Sequence, residues 1–83
     1  MKKTISILGS TGSIGVQTLE IINKKKNKFE IYFLSANKNF NEINRQILRF
    51  KPKYFFISDD TIFNKIKKKF KNKKTKIINN IHD

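Results

Sequence analysis

All three glycines of this 83-residue chain lie in one heptapeptide, residues 9–15, with the sequence Gly-Ser-Thr-Gly-Ser-Ile-Gly. The heptapeptide follows a β-rich apolar run and precedes a stretch with the apolar spacing of a helix. Glycine is required where the backbone adopts a positive φ or where another group must approach it closely. A glycine-rich turn between a first strand and a first helix is where α/β nucleotide-binding domains hold a phosphate, because the helix start supplies free N–H groups and a positive dipole end.

Strand-like and helix-like segments alternate along the whole chain. Strands are predicted at residues 4–8, 29–34, 54–57 and 75–79, with helices in the three intervals between them. The first strand is expected to be buried, and the second to be covered on both faces. Asn39 or Asn41 is expected to cap the second helix, which ends before Pro52. Asp59 or Asp60 is expected to cap the third.

This alternation predicts a partial Rossmann-like, doubly wound parallel sheet of order β-α-β-α-β-α-β. It amounts to the N-terminal half of a dinucleotide-binding domain, because a complete domain needs further strands on the other side of the first strand. The expectation from the alternation is therefore a single partial dinucleotide-binding domain over residues 1–83.

Composition limits the other functional classes. The formal charge is +13, from 19 Lys and Arg against 6 Asp and Glu, yet arginine appears only as Arg45 and Arg49. The abundance of Lys, Asn, Ile and Phe is typical of A/T-rich coding, so a solvated surface is favoured over a nucleic-acid interface. A small basic nucleic-acid-binding domain, with the lysines of residues 65–76 as its footprint, stays an alternative. Without cysteine or a long apolar run, the chain is expected to be soluble and cytoplasmic, with no membrane partner.

The glycine spacing is G-x-x-G-x-x-G, and residues 35–39 follow the second predicted strand. In the usual fingerprint an acidic residue at that place binds the ribose 2′-hydroxyl of NAD. Here the segment Ser-Ala-Asn-Lys-Asn has no acid and contains Lys38. A cation at this position suits the 2′-phosphate of NADP.

Residues 7–15 together with Gln17-Thr18-Leu19 resemble the N-terminus of the 1-deoxy-D-xylulose 5-phosphate reductoisomerase family. Residues 33–39 are similar to the second NADPH-contacting loop of that family, and the glutamine, phenylalanine and proline at 46, 50 and 52 fit its pattern. The resemblance implies a homodimeric enzyme of isoprenoid biosynthesis. It would convert a sugar phosphate, 1-deoxy-D-xylulose 5-phosphate, to 2-C-methyl-D-erythritol 4-phosphate with NADPH and a divalent metal, Mn²⁺ or Mg²⁺. Other NADP-dependent proteins with this glycine spacing, such as semialdehyde dehydrogenases and extended short-chain reductases, are the enzymatic alternative.

The resemblance also assigns cofactor-binding residues in two groups. The cofactor is expected to lie against Thr11, Gly12, Ser13 and Ile14, and its 2′-phosphate end against Asn37, Lys38 and Asn39. The metal ligands and catalytic residues of the family have no counterpart in this sequence. Asp59, Asp60 and Asp83 are too isolated to be proposed as a metal site, and His82 is interpreted as a surface residue. No catalytic or metal-binding residue is therefore predicted. The resemblance implies that residues 1–83 form a partial NADP-binding domain without the catalytic and C-terminal domains of the family, so the chain by itself is expected to be inactive.

Overall fold

The structure is a computed structural model, and it describes residues 2–25 and 28–80. Strands and helices alternate as the sequence predicts. Their bounds are β1 (Lys3–Ile7), α1 (Ser13–Lys24), β2 (Phe29–Ala36), α2 (Phe40–Phe50), β3 (Tyr54–Ile57), α3 (Asp60–Lys69) and β4 (Lys76–Ile78).

The four strands form one parallel sheet in the order β1-β2-β3-β4. Each strand pairs with the next one in the chain, so the sheet grows in one direction only. Right-handed crossovers that all advance in the same direction place their helices on the same face of a sheet. This is the arrangement of the first half of a doubly wound domain, and it confirms the predicted fold class.

The hydrophobic core lies between that face of the sheet and the three helices. Along β3, Phe55 and Ile57 are fully buried, whereas Tyr54 and Phe56 on the opposite face are partly exposed. Every helix contributes to this core. The buried apolar residues of the core are Leu19, Ile22, Ile31, Leu34, Ala36, Ile43, Ile47, Phe55, Ile57, Ile66 and Phe70.

Two sequence-based expectations are wrong for this chain. β1 is not a buried strand, because it is an edge strand that pairs only with β2 in the described part of the chain, and Thr4 and Ser6 are exposed. β2 is not covered on both faces, since Glu30 and Tyr32 are exposed. One-directional winding explains both, because it leaves the second face of the sheet without a helix.

Side-chain caps fix where two of the helices begin. The Oδ1 atom of Asn39 accepts from the Glu42 N–H at 3.2 Å at the start of α2, and Asp59 Oδ2 accepts from the Ile62 N–H at 3.0 Å at the start of α3. α2 ends at Phe50, and its C-cap Lys51 adopts the left-handed conformation with φ 47° directly before the proline. Both capping residues lie just after the carboxyl end of a strand, Asn39 after β2 and Asp59 after β3.

The lysines of α3 partly cover aromatic rings. Lys67 Nζ lies 5.3 Å from the centre of the Phe63 ring, and Lys69 Nζ lies 5.6 Å from that of Phe40. Lysine stems shield apolar surface in this way while the ammonium group stays in water. No helix in residues 2–25 or 28–80 has the length and apolar character needed to cross a bilayer.

Candidate nucleotide-binding site

The glycine-rich loop leaves the end of β1 in a tight turn that is anchored on β2. Gly9 has φ +69°, and its carbonyl accepts from the Gly12 N–H at 3.1 Å. The Gly9 N–H donates to Ser35 Oγ at 3.2 Å, and the Ser10 N–H donates to the Ser35 carbonyl at 2.8 Å. These bonds hold the loop at the carboxyl edge of the sheet.

The start of α1 differs from those of the other two helices. Its N-cap is Gly12, which has no side chain that could accept from the first turn. The first helical hydrogen bond runs from the Val16 N–H to the Gly12 carbonyl at 2.9 Å, so the N–H groups of Ser13, Ile14 and Gly15 precede it. Ser13 and Ile14 are exposed, and the first turn has no acidic residue. These donors and the positive end of the helix dipole suit an anionic ligand.

Two of the glycines allow different contacts. A Cβ atom at Gly12 would have the Gly9 carbonyl oxygen at 3.5 Å, which is ordinary contact, and otherwise open space. A Cβ atom at Gly15 would lie 2.5 Å from the same oxygen and 2.7 Å from the Cα of Ser10. Gly12 therefore leaves room for a ligand, whereas Gly15 lets α1 pack against the loop.

The second predicted group follows β2 at the same edge of the sheet. Asn37, Lys38 and Asn39 are all exposed, as are Gly12, Ser13 and Ile14 of the first group, and Thr11 is half-buried. The structure thus brings the two groups to adjacent strand ends, since Ser35 of β2 binds the glycine-rich loop.

Two of the three side chains in this second group already have partners in the protein. Asn37 Oδ1 accepts from the Ser58 hydroxyl at 2.8 Å, and Asn39 Oδ1 is the helix cap of α2. Lys38 forms no ion pair with any acidic side chain in the described ranges. Lys38 is therefore the cation of this group that is available to a ligand.

An open cleft of about 480 Å³ lies beside the glycine-rich loop. Its lining combines the end of β1 with the first turn of α1, namely Ile7, Leu8, Gly9, Gly12, Ser13, Ile14, Gly15 and Thr18. Leu8 and Ile14 are about four-fifths exposed, so apolar side chains flank the backbone donors. Apolar walls with a few convergent polar groups are typical of small-molecule sites.

Sequence reasoning gave no structural role to three residues that shape the loop: Ser10, Ser35 and Gln46. The side chain of Gln46 is fully buried, and its Nε2 donates to the Ser10 carbonyl at 2.8 Å. A signal for Gln46 exists in the sequence, because it is a polar residue on the apolar stripe of α2, next to Ile47. No comparable signal marks the two serines.

The described residues contain no group of three or more His, Asp or Glu side chains close enough to hold a metal ion. Asp59 is a helix cap, and Asp60 Oδ1 accepts from Asn79 Nδ2 at 3.3 Å. His82 and Asp83 lie outside the described residues.

A parallel β-α-β sheet with a glycine-rich loop at a helix start that has no side-chain cap defines a Rossmann-like dinucleotide-binding domain. The profile of the family described as 1-deoxy-D-xylulose 5-phosphate reductoisomerase matches residues 5–82. The chain belongs to this family.

Relatives and solved structures agree with this assignment. The 1-deoxy-D-xylulose 5-phosphate reductoisomerase of Clostridium novyi is 49% identical over 65 residues, which are 78% of this chain and 17% of the relative. The Zymomonas mobilis reductoisomerase in complex with NADPH superposes with a TM-score of 0.85 at 27% identity, covering 93% of this chain and 20% of that one. A reductoisomerase solved with NADPH, fosmidomycin and magnesium also gives a TM-score of 0.85, at 26% identity over 96% of this chain and 20% of that one. The chain thus spans about one sixth of the length of such curated relatives.

Proposed function

We propose that this chain is the NADPH-binding part of a cytoplasmic 1-deoxy-D-xylulose 5-phosphate reductoisomerase. The complete enzyme would be a homodimer that isomerises and reduces 1-deoxy-D-xylulose 5-phosphate to 2-C-methyl-D-erythritol 4-phosphate with NADPH and Mn²⁺ or Mg²⁺. The observation that carries the proposal is the glycine-capped start of α1, where exposed backbone donors lie beside open space at Gly12.

Each group of residues has a separate task in this proposal. The backbone N–H groups at Thr11, Ser13 and Ile14 bind the cofactor pyrophosphate at the start of α1. The Lys38 ammonium group binds the adenosine 2′-phosphate, and the amide side chains of Asn37 and Asn39 flank it. NADPH supplies the hydride when it is bound, and this part of the enzyme orients the nucleotide.

The metal belongs to another part of the enzyme in this proposal. Mg²⁺ and Mn²⁺ prefer oxygen ligands, and Mg²⁺ sites usually combine one or two carboxylates with waters and substrate oxygens. The described residues of this chain contain no cluster of three or more His, Asp or Glu side chains that could hold a metal ion by themselves. Residues 1–83 are accordingly proposed as one partial NADP-binding domain, with the substrate and metal sites outside it.

Replacing Lys38 with alanine is expected to weaken NADPH binding about tenfold, because a charge-assisted hydrogen bond to the 2′-phosphate is lost. NADH has no 2′-phosphate, so its affinity should change less than about twofold. Titrations of the isolated chain with each nucleotide, followed by NMR, give both dissociation constants.

The matched control for Lys38→Ala is Lys74→Ala. Lys74 is also exposed, but it lies in the connection from α3 to β4, at the opposite edge of the sheet. The substitution Lys74→Ala removes the same charge as Lys38→Ala and should leave the affinities for NADPH and NADH unchanged. Equal losses for NADPH and NADH in Lys38→Ala would contradict a 2′-phosphate contact.

The chain by itself is expected to show no turnover of 1-deoxy-D-xylulose 5-phosphate. It spans about one sixth of the length of its relatives, and the chemistry requires a metal and a pocket that fixes the nicotinamide against the substrate. NADPH oxidation, measured by the absorbance of the reduced nicotinamide, should stay at background with Mn²⁺ or Mg²⁺ present. Metal-dependent NADPH oxidation above the rate of a Gly12→Val control would contradict the proposal that the substrate and metal sites lie outside residues 1–83.

A further inference from the structure

Gln46 is a buried polar side chain that connects α2 to the glycine-rich loop. It lies among the apolar residues of α2 and is 0% exposed. Its Nε2 atom donates to the backbone carbonyl of Ser10, 36 residues earlier in the chain, at 2.8 Å. Burying an amide is costly unless it is hydrogen-bonded. The contact therefore specifies where the middle of the loop lies against the helix.

A bond to the Ser10 carbonyl also orients the next N–H group. The peptide bonds of the described residues are all trans, so each carbonyl points opposite to the N–H that follows it in the same plane. Because the Ser10 carbonyl points toward buried Gln46, the Thr11 N–H points away from the core. It thus faces the outer side of the loop, where the exposed start of α1 also lies.

Charged residues fix the orientation of the Gln46 amide. Its Nε2 also donates to Glu42 Oε2 at 2.9 Å. An ionised carboxylate only accepts hydrogen bonds, so the NH₂ end of the amide must face it. The Arg45 guanidinium hydrogen-bonds this carboxylate and holds the pKa of Glu42 below its ordinary value, which keeps Glu42 an acceptor.

The same charged residues reach α1. Glu20 of α1 pairs with Arg45 at 3.8 Å and with Arg49 at 3.1 Å. The loop and the helix that follows it are therefore both joined to α2 by polar contacts. A chain of contacts runs from Glu20 through Arg45, Glu42 and Gln46 to Ser10.

We propose that Gln46 is a positioning residue for the phosphate-binding loop. By holding the Ser10 carbonyl inward, it directs the Thr11 N–H toward the cofactor phosphate, and the Glu42–Arg45 pair keeps its amide in the required orientation. This inference rests on the proposed function, because it assumes that the loop binds the pyrophosphate of NADPH.

Gln46→Met tests the inference, since methionine has nearly the same shape but no donor. NADPH affinity of the chain is expected to fall about tenfold under conditions where circular dichroism shows the variant to be folded. Gln17→Met, the same change at an exposed position of α1, should leave the affinity unchanged. Gln46→Leu is a second variant of similar size without a donor, and it should show a comparable loss.

An NMR titration separates positioning from mere stability. In the wild-type chain, NADPH should shift the Thr11 amide resonance, and in Gln46→Met that shift should shrink while those of Ser13 and Ile14 persist. A purely structural role would lower the unfolding midpoint without changing the affinity of the folded state. Wild-type binding with an unmoved Thr11 amide, or an unchanged Kd in Gln46→Met, would overturn the role of Gln46 alone. No NADPH-induced shift in the wild type would overturn the proposed function as well.

Discussion

Replacing Gly12 with valine is expected to weaken NADPH binding by about 100-fold or more while the chain stays folded. The fold should tolerate the change because Gly12 has φ −75° and ψ 170°, an extended conformation that suits a β-branched residue. A Cβ atom there has the Gly9 oxygen at an ordinary 3.5 Å and no closer neighbour. The branched side chain would instead occupy the space through which a pyrophosphate reaches the start of α1.

Isothermal titration with NADPH measures the loss, and circular dichroism confirms folding. Gly12→Ala serves as a graded control, because one methyl group takes less of the same space and should give a smaller loss. Ser6→Val adds a valine on exposed β1, outside the cleft lining, and should leave the affinity unchanged. An unchanged affinity in folded Gly12→Val would remove the glycine-rich loop from the cofactor site.

The substitution Gly15→Ala is expected to destabilise the chain by about 1–3 kcal/mol, the usual cost of forcing extra atoms into a packed site. The added Cβ would lie 2.5 Å from the Gly9 carbonyl oxygen, and its other near neighbours are backbone atoms of Ser10. Backbone atoms cannot rotate away as the end of a flexible side chain can. Native domains are stable by about 0.05–0.15 kcal/mol per residue, so the loss would be a large share of the total.

The direction of the stability change in Gly15→Ala shows whether the added Cβ clashes with the loop. Alanine favours a helix over glycine by about 1 kcal/mol, so without a clash Gly15→Ala would be stabilising. Gly12→Ala is the control for the added methyl group, because its Cβ has room, and it should lose less than about 1 kcal/mol, the cost of alanine in place of glycine at an N-cap. Urea unfolding of the two variants and the wild type gives the comparison. A Gly15→Ala chain as stable as the wild type would contradict close packing of α1 against the loop.

Local patterns predicted the elements of this fold well. β3 lies at the predicted residues 54–57, and Asn39 and Asp59 act as the helix caps that the sequence suggested. Such features depend on neighbouring residues, which is why they can be read from one sequence. The family resemblance likewise named the correct family, which the profile over residues 5–82 confirms.

Features that depend on distant residues were not predictable in this way. The burial of β1 and the covering of β2 were misjudged because they depend on which side of the sheet the helices occupy. The contact between Gln46 and Ser10 joins residues far apart in sequence, and no short-range pattern encodes it. The glycine spacing also does not predict the different structural roles of Gly12 and Gly15, because these depend on which atoms a Cβ at each position would contact.

The one-directional strand order has a consequence for how the chain acquires its structure. Each strand pairs with its successor, as Lys3 does with Phe29 and Tyr54 with Lys76, so no pairing must wait for a distant segment of the described chain. The entropy cost of loop closure is smaller for pairings between successive strands than it would be for pairings that skip a strand. The sheet can therefore assemble strand by strand from the N-terminus as a ribosome extends the chain, with the glycine-rich loop in place as soon as β2 and α2 have joined β1.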